Sequence, residues 1–264
     1  MPRPGAVVNA CGRALRRSLP AMAVTLGLTA VGFGLYAGYR FLTTNERFAI
    51  TEVEIRGEHH LSEEQIRAHL PVHLGDNVFQ TNLTSVADAA RTLPWIKSAD
   101  ARRVLPHTIV VELHEHEAVA VVELGELYLV DAQGQPFKRA QLEAGEGKGL
   151  PVITGLPRET YEAAPDEAAK TVVSALAALA TWRSDPARPA IGEIHLDAHH
   201  ALTLRTYERA TAIQLGTLGP ELAARMQTFD AAWAELSETE RLHARAIHVD
   251  ARIDQVTVAL NTKD

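Results

Sequence analysis

Apolar positions in this chain first run together and then alternate. Residues 19–39 hold no charge, and as a helix the run would rise about 32 Å, enough to cross a hydrocarbon core of roughly 30 Å. It ends in Tyr36, Tyr39, Arg40 and Phe41, an aromatic belt with a cationic stop. A cleaved leader has a shorter apolar region of about 7–15 residues and a small-x-small cleavage site, so the pattern predicts a retained anchor. Arg13, Arg16 and Arg17 crowd its N-terminal flank, which places the short tail in the cytoplasm and everything after about residue 40 on the other side. Ala30, Gly34 and Gly38 share one helix face, a small-residue stripe of a kind common in spans.

Beyond the anchor the periodicity changes. Ile50, Val53 and Ile55 are interleaved with polar residues up to Gly57, a strand pattern. Ser62 followed by Gln65 forms a capping box for a helix reaching about Leu70, closed by Pro71. Leu83, Val86, Ala89, Ala90 and Leu93 recur at helical spacing before Pro94. Residues 96–105 and 108–115 then alternate as two strands joined at Pro106. Downstream, residues 119–124, 127–131 and 135–137 are short strand candidates, with Gly134 in the left-handed position of a turn. Residues 166–183 predict an Ala-rich helix, and 191–197, 201–207 and 211–215 an antiparallel meander. A helix from Pro220 to about Leu236 and strands at 246–250 and 256–260 complete the pattern. The fold class this implies is α+β, an apolar span followed by a strand-helix-helix-strand-strand module and a larger mixed β domain with flanking helices. The expected boundaries are a tail at 1–18, a span at 19–39, the small module at 48–117 and the β domain at 118–264.

Charge narrows the function. The whole chain carries −7, from 26 basic and 33 acidic residues. Through Arg47 there are six Arg and one Glu, leaving 20 basic and 32 acidic residues, a net −12, for the remainder. Such a body repels phosphate backbones, which argues against nucleic-acid binding. Cys11 is the only cysteine, so neither an intrachain disulfide nor a thiolate metal site can form. His114-Glu115-His116-Glu117 would put two imidazoles on one strand face, but no third ligand is evident and the spacing is not that of a helical zinc site. His59-His60 and His199-His200 fall in turns and read as solvated, and Trp95 as packing between a helix end and the sheet. The motif inventory holds no nucleophile elbow, Walker loop or dinucleotide fingerprint. The sequence thus predicts no catalytic residues, no metal and no cofactor.

The ordered combination resembles the FtsQ/DivIB family of bacterial cell-division proteins. The resemblance is carried by the strand from Arg47-Phe48 to Gly57, by Gly75-Asp76-Asn77-Val78-Phe79, and by Leu93-Pro94-Trp95-Ile96-Lys97-Ser98-Ala99 running into Arg102-Arg103 and Pro106. It continues through Leu129-Val130-Asp131, Gly134 and Phe137, then Leu150-Pro151 and Gly155, and Val249-Asp250-Ala251-Arg252. The chain departs from the family pattern at Ala118, Ala251 and Ile253, where Pro, Leu and often Tyr are usual.

Membership would make the small module a POTRA domain. It would make the protein a bitopic inner-membrane scaffold of the divisome, at the septum with its bulk in the periplasm, that helps control septal peptidoglycan synthesis without being an enzyme. Its expected partners are an FtsB-like protein, captured by strand addition at the last strand, and an FtsL-like protein alongside. The contact residues implied are Ile253, Val256, Thr257, Val258, Ala259 and Leu260, with Ser98, Ala101 and Arg103 facing other division proteins. The physics of strand addition is general, because an edge strand exposes unpaired N–H and C=O groups. Val256, Val258 and Leu260 alternating with Thr257 and Ala259 suit either an edge or an internal strand. The competing reading is a POTRA-bearing component of a secretion or outer-membrane assembly complex.

Overall fold

The computed structural model describes residues 4–250 and 255–260, with side chains from Met22 onward. Helix α1 (Pro4–Thr44) includes one stretch, Met22–Thr44, long and apolar enough to cross a membrane, and none of it is buried in the protein. The helix outruns the expected stop at Tyr39 because no breaker intervenes. The hydroxyls of Thr43 and Thr44 bond back to the carbonyls of Tyr39 and Arg40, and the helix ends only at Asn45, whose side chain caps a short 3₁₀ turn, Glu46–Phe48.

The remainder forms an α+β architecture, and the chain divides into two compact units, Met1–Glu115 and His116–Asp264. In the first, β1 (Glu52–Arg56), α2 (Glu63–His69), α3 (Leu83–Arg91), β2 (Ile96–Val104) and β3 (Thr108–Glu115) follow in order. The sheet order is β1-β3-β2, with β1 parallel and β2 antiparallel to β3. Ile66 of α2 and Val86 and Ala90 of α3 are buried against Val53, Ile55, Ile109, Val111 and Leu113. The Ser62–Gln65 capping box forms as the sequence predicts, satisfying two of the orphan donors at the start of α2.

The second unit contains β4 (Ala120–Glu123), β5 (Leu127–Val130), β6 (Pro136–Arg139), β7 (Val152–Thr154), α4 (Arg158–Ala163) and α5 (Pro165–Arg183). It continues with β8 (Ile191–Leu196), β9 (Ala201–Thr206), β10 (Ala212–Thr217), α6 (Leu222–Glu235), α7 (Glu238–His243), β11 (Ala244–Asp250) and β12 (Gln255–Leu260). The strands make one nine-stranded mixed sheet in the order β12-β11-β10-β9-β8-β7-β4-β5-β6. The β8-β9-β10 meander is antiparallel, as the strand pattern in the sequence predicts. β10 and β11 are parallel, joined by a crossover through α6 and α7. Strand β7, too short to show alternation in the sequence, bridges β4 and β8 with parallel pairing on both sides.

Helices α5 and α6 meet through Trp182 and Phe229, ring centroids 4.8 Å apart. The buried residues of both helices belong to the same apolar cluster as the inward-facing side chains of the sheet. Close approach of α5 requires Gly134: at φ 76° a Cβ there would collide with the carbonyl oxygen of Ala169. Buried Tyr161 donates its hydroxyl to the Gly134 carbonyl at 2.9 Å, and burial, reinforced by the charge of Asp131, pushes the phenol up to about 12.

Candidate partner-binding edge

Strand β12 pairs antiparallel with β11, Ile247 opposite Val258, His248 opposite Thr257 and Val249 opposite Val256. A bulge between Ala244 and Ala246 sets the register of its far end. Side chains alternate across a strand, so two rows reach this edge. The inner row runs Val122, Ile153, Ile194, Leu204, Ile213, Ile247 and Val258 from one strand to the next. Its first six members are at most 1% exposed, whereas Val258 is half-buried. The outer row runs Thr154, His195, Thr203, Gln214, His248 and Thr257. It is tied by hydrogen bonds such as Thr154 to His195 at 2.9 Å and His248 to Gln214 at 3.0 Å. Val258 differs from the rest of its row because no strand among the described residues pairs on its outer flank. Cross-strand neighbours are the unit of sheet stabilisation, and here the last neighbour is missing among the described residues.

The sheet edges are treated differently. Arg67 of α2 donates to the Val53 carbonyl on β1 at 2.8 Å, while ion-pairing with Glu63. Arg91 of α3 donates to the Ala99 carbonyl on β2 at 2.5 Å. At the opposite edge of the large sheet, β6 has only four residues and begins with Pro136, which has no N–H to offer. Among the described residues no side chain bonds to the backbone of β12, so its six residues form the least protected edge. The arginines of α2 and α3 were not identifiable from sequence, since nothing in the spacing of Arg67 or Arg91 marks a strand carbonyl as its target.

Of the expected contact residues, Val256 and Val258 face inward against the core, while Thr257 and Ala259 are exposed. Leu260 is 47% exposed, and Ile253 lies outside the described residues. On β2 the three expected positions are not on one face. Ala101 packs against the small core, and Arg103 follows it on that side. Its guanidinium donates to the carbonyls of Val78 at 2.7 Å and Thr81 at 2.6 Å. Ser98 is half-exposed beside a bulge and projects to the other face.

The histidine-rich run is split at the boundary between units. His116 is not on a strand face with His114, because β3 ends at Glu115. It pairs with buried Asp131 at 3.1 Å and stacks on Phe137. Glu115 turns inward, its side chain 6% exposed, and accepts from the backbone N–H groups of His59 and His60 and from the His60 ring at 2.6 Å. Burial pushes its carboxyl up, but these bonds and the charge of His60 outweigh it and hold the group below the usual value. His60, expected to be merely solvated, stacks on Trp95 with centroids 3.8 Å apart. Among the described residues no group of three or more His, Cys, Asp or Glu is placed to hold a metal ion.

Comparison with known proteins fits this architecture. Residues 48–116 match the model of the POTRA domain, FtsQ-type, and residues 118–254 that of Cell division protein FtsQ/DivIB, C-terminal. A protein named Cell division protein FtsQ from Anaeromyxobacter is 35% identical over 244 residues, covering 91% of this chain and 81% of that one. Its namesake from Myxococcus fulvus is 31% identical over 238 residues, 89% and 81% of the two chains. The Bordetella pertussis protein of that name is 26% identical over 249 residues, 88% and 86%. With both its folded modules matched and relatives aligned over most of their length, the chain belongs to the FtsQ/DivIB family of cell-division proteins.

Proposed function

We propose that this cell-division protein is a bitopic inner-membrane scaffold of the divisome, with its N-terminus in the cytoplasm and its two folded units in the periplasm. Its β12 edge takes a strand from an FtsB-type division protein, with an FtsL-type protein alongside, and through them it helps control septal peptidoglycan synthesis. Its work is binding and not catalysis.

The observation that carries the reading is the unprotected β12 edge at the end of a continuous apolar row. An incoming strand would pair with the outward N–H and C=O groups of β12 and cover the open flanks of Val256 and Val258. Completing the burial of each half-buried valine is worth about 1 kcal/mol, added to main-chain bonds that confer affinity without sequence specificity. Specificity then falls to the exposed side chains of Thr257, Ala259 and Leu260, with Ile253, just before β12 in the sequence, as a further contact. The β2 positions Ser98, Ala101 and Arg103 form a second surface toward other division proteins, Ser98 supplying its exposed group.

The test is hydrogen exchange on the full chain in nanodiscs, with and without the extracytoplasmic segments of the same organism's FtsB- and FtsL-type proteins. Slowed exchange concentrated on 255–260 supports the reading. Binding that leaves these amides unchanged and protects β2 instead would relocate the site, and absence of binding would refute it.

A further inference from the structure

The POTRA module is fastened to the end of α1. Asn77 donates its side-chain N–H to the Leu42 carbonyl at 2.9 Å and Gln80 to that of Thr43 at 3.2 Å, satisfying two of the carbonyls a helix C-terminus leaves orphaned. Phe48 sits edge-on to both Phe41 of the helix and Phe79 of the module. The apolar part of α1, 23 residues, would rise about 34 Å against a hydrocarbon core of roughly 30 Å, so its last turn and these side-chain caps fall at the lipid headgroups.

Two loops flank the point where the chain then enters the module. On one side Gly75 donates to the Ile50 carbonyl and Ile50 to that of Asp76, and on the other Thr51 donates to the His107 carbonyl. Leu74, in the first loop, is 62% exposed, and Val104, the last residue of β2, and Leu105, in the second loop, are 40% and 57% exposed. Arg103 joins the second loop to the carbonyls of Val78 and Thr81, in the segment that also carries the side-chain caps of α1. These apolar side chains therefore lie at the α1 end of the module. Because the fastening leaves α1 and the module little freedom to separate, they stand where the bilayer surface begins.

We infer that this end of the module is a membrane-contact surface, with Leu74, Val104 and Leu105 inserted into the interfacial layer of the leaflet from which α1 emerges. The occupant is lipid: continuity with the apolar helix and the short, hydrogen-bonded connection supply it without any partner protein. Isolated apolar side chains need no explanation, but three held in two loops and an adjoining strand end, on either side of a membrane exit, form a footprint. The module would then be fixed in orientation on the bilayer, not suspended from a tether. The inference rests on α1 spanning the membrane and is independent of strand addition at β12.

The test uses the full chain carrying Cys11→Ser, purified and inserted alone into nanodiscs of phosphatidylethanolamine and phosphatidylglycerol. Single cysteines at Phe33→Cys, Leu74→Cys, Leu105→Cys or His114→Cys carry a fluorophore, and quenching is read with lipids bearing a nitroxide near the headgroup or deep in the acyl chain. His114 lies at the other end of β3, about 20 Å along the strand from Thr108. The expected result is headgroup-type quenching at Leu74 and Leu105, deep quenching at Phe33 and none at His114. Leu74 and Leu105 no more quenched than His114, while Phe33 is quenched, would overturn the inference and leave the span intact. An unquenched Phe33 would overturn both the inference and the span.

Discussion

Successive residues of a strand direct their N–H groups to opposite edges, so of Thr257 and Val258 one donates to β11 and the other faces outward. Thr257→Pro and Val258→Pro should therefore behave unlike each other, although they are neighbours on one six-residue strand. The proline on the inward side removes a ladder donor and leaves a β11 carbonyl unsatisfied, at a cost of about 1–3 kcal/mol. For a unit of about 150 residues each kcal/mol moves Tm by about 2–4 °C, so this variant should melt about 2–12 °C lower. The outward proline removes no internal bond and should melt within about 2 °C of wild type, the range of a neutral surface change. It deletes one main-chain bond to the partner and puts a ring where the incoming strand must lie, a combined penalty of at least about 1.4 kcal/mol, or tenfold in Kd. Melting followed by circular dichroism and calorimetric titration with the FtsB-type segment separate the two effects. Wild-type affinity in the still-folded variant would refute capture at this edge, and equal destabilisation by both prolines would refute the assignment of an open side.

Three other outcomes follow from the same geometry. Glu115 is held below its ordinary value of 4.5, so its stabilising effect is full above that pH and is lost as pH falls through the lower folded value. Glu115→Gln should cost about 1.5–3 kcal/mol at neutral pH, and its melting curve should converge with that of wild type on acidification. Gly155 has φ 85°, and a Cβ there would overlap the Leu196 carbonyl; Gly155→Ala should destabilise the second unit by more than 1 kcal/mol, measured by urea denaturation. Arg67→Met and Arg91→Met free the carbonyls of Val53 and Ala99 on the edges of the small sheet, and each should cost about 1 kcal/mol and raise self-association in sedimentation velocity.

Local chemistry was the legible part of the fold. The Ser62 capping box and the left-handed Gly134 depend on residues within one turn, and both occur where the sequence places them. The α+β class followed from periodicities that change from helical to alternating. What failed to show was non-local. β7 has three residues after Pro151 and no alternation, and is a strand because β4 and β8 pair with it. Phe48 reads as the start of a strand, yet it belongs to a 3₁₀ turn since its ring is needed between Phe41 and Phe79. α7 carries a local signal, the Ser237–Glu240 capping box. At the candidate site the alternation of Val256, Val258 and Leu260 was visible, but not the side that lacks a neighbour, because strand order is set by pairing across the whole sheet.

An unprotected edge invites pairing with another copy of the same chain, and elsewhere this protein guards against it with arginines and a proline. At β12 the protection is of a different kind. The chain beyond Arg47 carries −12 by the count above, which disfavours close approach of two copies through mutual repulsion. Of the exposed side chains of the strand, Thr257 and Ala259 are small, and Leu260, 47% exposed, is the one large apolar group offered to a second copy beyond what the main chain provides. A partner strand with basic residues at its flanks would meet no such repulsion and would gain the half-covered valines. The edge can thus remain open to a strand from another protein while discriminating against its own kind, and the discrimination should weaken as salt screens the charge.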